Sequence, residues 1–198
     1  MPQAQGWSEY YDELRDRPPR STLIAALDAF GEASVESLAI DLGCGDGRDV
    51  VEILRRGWSV VAVDAEPQAL AKLAERNLPG SEKITPIVSR MEDVPLPLGL
   101  QLVNSSFAMP LCEPERFHEL WARIVEALPA GGRFSGQWYG PRDGWIGRPG
   151  ITFLERDAAV ALLDGFDIEM FDEEEADSTT PRGKPKHWHI FHIVARKR

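Results

Sequence analysis

Residues 38 to 64, LAIDLGCGDGRDVVEILRRGWSVVAVD, constrain this chain more than any other stretch. An apolar run, Leu38-Ala39-Ile40, ends in Asp41. A turn with Gly43, Gly45 and Gly47 follows, then a helical pattern with Val50, Val51, Ile53 and Leu54. A second apolar run, Val60 to Val63, ends in Asp64. Strand, glycine turn, helix and strand make a βαβ unit. Such units bind nucleotide-like ligands beyond the carboxyl ends of their strands. Glycines admit positive φ and carry no Cβ, so a ligand can lie against the backbone. A dinucleotide fingerprint reads G-x-G-x-x-G, and its third glycine is Arg48 here. Asp41 would repel a pyrophosphate and suits a ligand ammonium. Asp64, closing the second strand, suits the hydroxyls of a ribose. An amino-acid-bearing nucleoside meets both demands.

Asp41-Leu-Gly-Cys-Gly-Asp-Gly47 resembles the first motif of class I S-adenosylmethionine (SAM)-dependent methyltransferases, and Asp64 resembles the acid of their second. The resemblance runs over nearly the whole chain. It implies a Rossmann-like three-layer αβα fold, with a seven-stranded, mostly parallel sheet whose last strand is antiparallel. It also implies SAM as cofactor, with Asp41, Gly43, Gly45, Gly47, Asp64 and the adjoining Ala65 as binding residues. In this family the loop after the third strand holds the adenine, usually with an acid. Arg90 takes that acid's position here, which leaves Met91 and Glu92 as the candidates. Ser105 and Ser106, at the carboxyl end of the fourth strand, are expected beside the methyl group. An Asn/Asp-Pro-Pro-aromatic motif would mark many nucleic-acid amino-methyltransferases; Asn104-Ser-Ser-Phe107 lacks both prolines.

At 198 residues the chain is expected to form one domain, with 1–20 as a lid over the cofactor and 21–198 as the Rossmann-like core. The net charge of -10 argues against broad binding to nucleic acid. No apolar run reaches the ~20 residues that span a bilayer. The polar, acidic N-terminus does not read as a signal peptide. Cys44 and Cys112 give no disulfide framework, so a cytoplasmic location is the default.

Trp7, Tyr10, Tyr11 and Leu14 have near-helical spacing. Either Tyr10 and Tyr11, with Arg17 and Arg20, face cofactor and substrate, or the aromatics pack on the core edge. Ser21 reads as the cap of a helix running to Phe30. Helices are expected from Pro67 to Arg76, Glu113 to Leu128 and Arg156 to Leu163, strands over 84–88, 132–139 and 166–171, and the fourth strand with its exit loop over 100–109. The acidic run Asp172–Asp177 lies beyond the strand ending at Phe171, and residues 179–186 read as loop, before a final strand from His187 to Arg196. Residues 137–145 read as an aromatic loop, and Trp138 and Trp145 either build a substrate pocket or pack under a lid.

His187 and His189 share one strand face and His192 the other, so no metal site is expected. His187 and His189 are the base candidates by side-chain type. The C-terminal part loosely resembles tellurite-resistance and thiopurine methyltransferases. The reading is methyl transfer to a small molecule, soft acceptors such as thiols or other chalcogens included. A non-catalytic SAM-binding protein and a macromolecular methyltransferase are the alternatives.

Overall fold

The computed structural model describes residues 17–180 and 183–198. Tyr10 and Tyr11 lie outside them. Helix α1, Ser21–Phe30, buries Leu23, Ala26 and Leu27, and Gly31 ends it at φ 75°. Ser21 is its first helical residue and Arg20 stands at the N-cap, so the expected side-chain cap is absent there. Strand β1, Leu38–Leu42, leads through the glycine turn to α2, Arg48–Arg55, and β2, Ser59–Asp64. Helix α3, Pro67–Glu75, starts on a proline whose missing N–H costs nothing there. It precedes β3, Ile84–Val88. Then come β4, Leu102–Ser105, α4, Pro114–Ala127, β5, Arg133–Tyr139, and α5, Arg156–Leu162. Strands β6, Phe166–Thr179, and β7, Pro185–Lys197, close the chain.

The seven strands run in the order β3-β2-β1-β4-β5-β7-β6, with β7 antiparallel to both neighbours. Apolar residues of α1, α2 and α3 pack one face, around Leu27, Ile53, Trp58 and Leu70. Those of α4 and α5 pack the other, around Phe117, Trp121, Phe134 and Phe191. The central strands β4 and β5 are buried throughout, as strands covered on both faces must be. From β1 the chain steps outward to β2 and β3; from β4 it steps the other way. Loops therefore part between β1 and β4, which opens the crevice in which doubly wound sheets bind ligands.

Two segments differ from the sequence expectation. The acidic run Asp172–Asp177 is strand, because cross-strand partners meet its charges: Asp177 opposes His187 and Glu175 opposes His189. The expected loop before β7 shrinks accordingly, since β7 begins at Pro185. Strand β7 pairs with β5 only from Ile190 to Arg196, while its pairing with β6 continues back to Pro185. The hairpin thus overhangs the carboxyl end of the sheet. Loop 140–154 is fastened to this overhang. Gly140 N–H donates to His189 O (2.8 Å) and Gly144 N–H to His187 O (2.8 Å).

Candidate functional site

The glycine turn is shaped by close approach. Gly43, Gly45 and Gly47 have φ of 76°, 58° and 88°. A Cβ on Gly43 would sit 2.3 Å from Ala108 Cβ, and one on Gly47 would sit 2.3 Å from Leu73 Cδ1. The loops after β1 and β4 thus touch across the crevice. The Asp64 carboxylate is nearly buried and accepts from Gly45 N–H and Glu66 N–H, both at 2.9 Å. Burial raises its pKa, and the two backbone donors partly offset that. Its position at the carboxyl end of β2, with each oxygen still able to accept, suits a vicinal diol.

A polar network lies under the crevice on the α1–α2 side. Asn104 Nδ2 donates to Asp41 Oδ1 (2.8 Å) and to Asp49 Oδ2 (3.1 Å), and its Oδ1 accepts from Ser135 Oγ (2.8 Å). Asp49 also accepts from Ser106 Oγ (2.5 Å) and from the Arg20 N–H (3.0 Å). Asp41 Oδ2 is buried and has no hydrogen-bond partner among the described residues. Burial, then the charge of Asp49, push the Asp41 pKa well above the usual carboxylate range. A buried acceptor without a donor is costly. A ligand ammonium at Asp41 and a diol at Asp64 would answer both acids across one glycine turn, so the residues present fit SAM.

Beyond the crevice stands an aromatic wall. Phe107 holds a left-handed φ of 57°, and its N–H donates to Gln137 Oε1 (3.0 Å). Its ring meets Trp188 (6.1 Å between centroids), His192 (6.2 Å) and Tyr139 (6.5 Å), and the Arg20 guanidinium lies 4.2 Å above it. Trp145 packs on Trp188 and Tyr139. These rings enclose Lys186, whose Nζ lies 3.3 Å from the Trp188 centroid and 2.5 Å from the buried Asp143 Oδ2. Burial lowers the Lys186 pKa and Asp143 opposes the shift.

The structure brings together most residues expected at the cofactor. Met91 reaches the turn, with Cε 3.9 Å from where a Gly43 Cβ would stand. Ser106 faces the crevice network through Asp49, and Ala65 is exposed beside Asp64. Ser105 is wholly buried and its hydroxyl donates to Leu42 O (3.1 Å), so it shapes the strand end and offers a ligand no surface. Glu92 is buried and turned toward α4, accepting from Glu113 N–H (3.2 Å) and Arg90 Nη2 (3.0 Å). Arg90 is therefore the cation of a buried acid. Trp138 lies within β5, not in a loop, and packs among Phe117, Trp121 and Phe134 on the far face. It is 1% exposed, and a substrate does not reach it.

His187 and His189 also face away from the aromatic wall. By strand alternation they share the side of Phe191, whereas Lys186, Trp188 and His192 share the side of Phe107. His189 Nδ1 accepts from Arg142 N–H (3.1 Å), and its Nε2 pairs with Glu173 (2.8 Å). His187 is held by Asp177 (2.7 Å) and Glu175 (3.2 Å). Both rings are engaged in holding the hairpin and loop. No group of three or more His, Cys, Asp or Glu suited to a metal occurs among the described residues. Reading the sequence missed Asp49, Gln137 and Asp143. Asp49 opens α2, a place where an acid is also simply favourable to the helix.

Comparison with known proteins bears on the same residues. Residues 39–132 match a family model described as a methyltransferase domain. An uncharacterized methyltransferase of Synechocystis sp. is 31% identical over 116 residues, 54% of this chain and 53% of its own length. The chain thus spans about half of that relative. The crystal structure of TehB from Haemophilus influenzae superposes with a TM-score of 0.78 at 16% identity, covering 97% of this chain and 67% of TehB. A Burkholderia thailandensis 1,6-didemethyltoxoflavin-N1-methyltransferase, solved with S-adenosylhomocysteine, gives 0.67 at 19% identity, covering 98% and 86%.

Proposed function

We propose that this chain, which carries a methyltransferase domain of the class I SAM-dependent type, transfers a methyl group from SAM to a small-molecule acceptor. One observation carries the reading: Asp41 Oδ2, buried and without a partner among the described residues, and the Asp64 carboxylate stand on either side of one glycine turn, at the point where the sheet's strand order reverses. The Burkholderia thailandensis N1-methyltransferase with a similar fold was solved with bound 1,6-didemethyltoxoflavin beside S-adenosylhomocysteine.

When bound, SAM supplies a methyl group activated on a sulfonium. The chain's residues do the rest. Asp64 holds the ribose, and Asp41, aligned by Asn104, holds the ammonium. Met91 packs beside the turn near the adenine. Ser106 and Asp49 set the loop after β4, and Phe107, Trp145 and Trp188, backed by the buried Tyr139, form the wall against which the acceptor lies. Catalysis then rests on positioning and on keeping water out.

Calorimetric titration of ligand-free protein with SAM and S-adenosylhomocysteine tests the cofactor. Micromolar binding of both is expected, and methyl transfer to small thiols, phenols or ring nitrogens is read next. A folded protein that binds neither overturns the proposal.

A further inference from the structure

The geometry points to His192 as the general base of this site, held by Glu174, acting on a planar acceptor with a weakly acidic hydroxyl, a phenol. The inference rests on the methyl-transfer reading above and names the acceptor class and the proton's destination.

His192 is the histidine of β7 that faces Phe107. Its Nε2 pairs with Glu174 Oε2 at 2.8 Å. Its Nδ1 has no hydrogen-bond partner among the described residues, and its side chain is 18% exposed. One ring nitrogen anchored on a carboxylate and the other open is how a protein orients an imidazole to take a proton. The neighbouring charges favour this. Asp172, directly across β6, shares the face with Glu174, and neither is a cation. Gln137, across β5, is neutral and is occupied with Phe107 N–H and Thr22 Oγ1. Two cations belong to this face: Lys186, paired with Asp143, and Arg20, stacked over the Phe107 ring.

The acceptor follows from the walls. The half-buried rings of Phe107 and Trp188, backed by the buried Tyr139, offer flat apolar surface to a planar molecule. The Arg20 guanidinium favours an acceptor that becomes anionic. In the step, the phenol's proton passes to His192 Nδ1. A bond forms between the phenol oxygen and the methyl carbon. The carbon–sulfur bond breaks with its electron pair left on sulfur, giving S-adenosylhomocysteine and an aryl methyl ether. The proton then leaves His192 to solvent.

The test uses the full chain, SAM and a series of para-substituted phenols of graded acidity. SAM affinity is measured first, by calorimetry. A chain that does not bind SAM fails the methyl-transfer reading, and this inference with it. With SAM bound, the wild type is expected to methylate the phenols. His192→Gln should keep wild-type SAM affinity and lose roughly 100- to 10,000-fold in kcat/KM. The loss should be smallest on the most acidic phenol, and the acidic limb of the wild-type pH–rate profile should vanish. A second readout needs no turnover. Nitrogen-15 NMR of the His192 ring should show the Nε2–H tautomer in the wild type and a mixture in Glu174→Gln. SAM binding without methylation of any phenol, undiminished kcat/KM in His192→Gln, or a ring protonated at Nδ1 alone would each overturn the assignment.

Discussion

Asp41, Asp49 and Asp64 at the crevice are hydrogen-bonded by an amide, a hydroxyl and backbone N–H groups. Glu173, Glu175 and Asp177 on the overhanging hairpin are met by Arg142, His187 and His189. Two acids of each set shift in opposite senses. Burial raises Asp41 and Asp64. The His189 hydrogen bond lowers Glu173, and Arg142 brings Glu175 down to about 2. Glu173 and Glu175 stabilise the fold from above the ordinary carboxylate pKa and lose that contribution only as pH falls toward the folded value. Asp41 and Asp64 bind protons more tightly folded than unfolded, so their contribution worsens as pH rises. The hairpin is electrostatically complete. The crevice carries negative charge that a cationic ligand would relieve.

Removing the ribose acid should break this comparison most visibly. Asp64→Ala takes away two hydrogen bonds to a charged acceptor, which costs roughly 2–4 kcal/mol. At ~1.4 kcal/mol per tenfold, SAM binding should weaken on the order of 30- to 1000-fold, read by calorimetry. The equivalent change on the hairpin, Glu175→Ala, should leave SAM affinity where it was. Unchanged affinity in a folded Asp64→Ala variant would end the ribose assignment.

Asp41→Asn sharpens the contrast through its two signs. The charge at Asp41 is disfavoured in the folded apo protein by burial and by Asp49. Neutralising it should therefore raise the apo Tm at neutral pH, measured by differential scanning calorimetry. The same change removes the partner of the ligand ammonium, so SAM affinity should fall by roughly tenfold or more. A binding site whose loss stabilises the empty protein is the mark of an acid placed for a ligand. If Tm and affinity both fall, Asp41 is a structural acid.

How far the sequence reveals these features depends on the range of the interaction. The βαβ unit is legible because its signal is local: apolar runs, a glycine turn and terminal acids within 27 residues, Leu38 to Asp64. Strand β3 is bounded as its apolar run suggests. The acidic stretch of β6 is not legible as strand, because its pattern is unfavourable until Arg142 and the β7 histidines stand beside it. Trp138 misleads for a related reason. Read beside Tyr139 and Trp145 it belongs to an aromatic loop, but β5 runs one residue beyond it and alternation turns it into the far core. Alternation does place His192 opposite His187 and His189. Only the position of Phe107, set by the β4 exit, tells which of the two faces is the site.

The smallest effect lies at the hairpin tip. The Asp177 and Glu175 hydrogen bonds raise the His187 pKa, Asp177 contributing more. A histidine raised on folding stabilises fully below its unfolded value, about 6.5, and loses that contribution as pH rises through the folded value. His187 is exposed enough for salt to screen its pairs. His187→Gln should therefore lower Tm slightly at pH 5.5 and leave it unchanged at pH 8.5, and added salt should close the gap at the lower pH. SAM affinity should not move at either pH, because His187 faces away from the Phe107 wall. A His187→Gln variant that lost SAM binding would join the two acid sets into one site and remove the contrast between them.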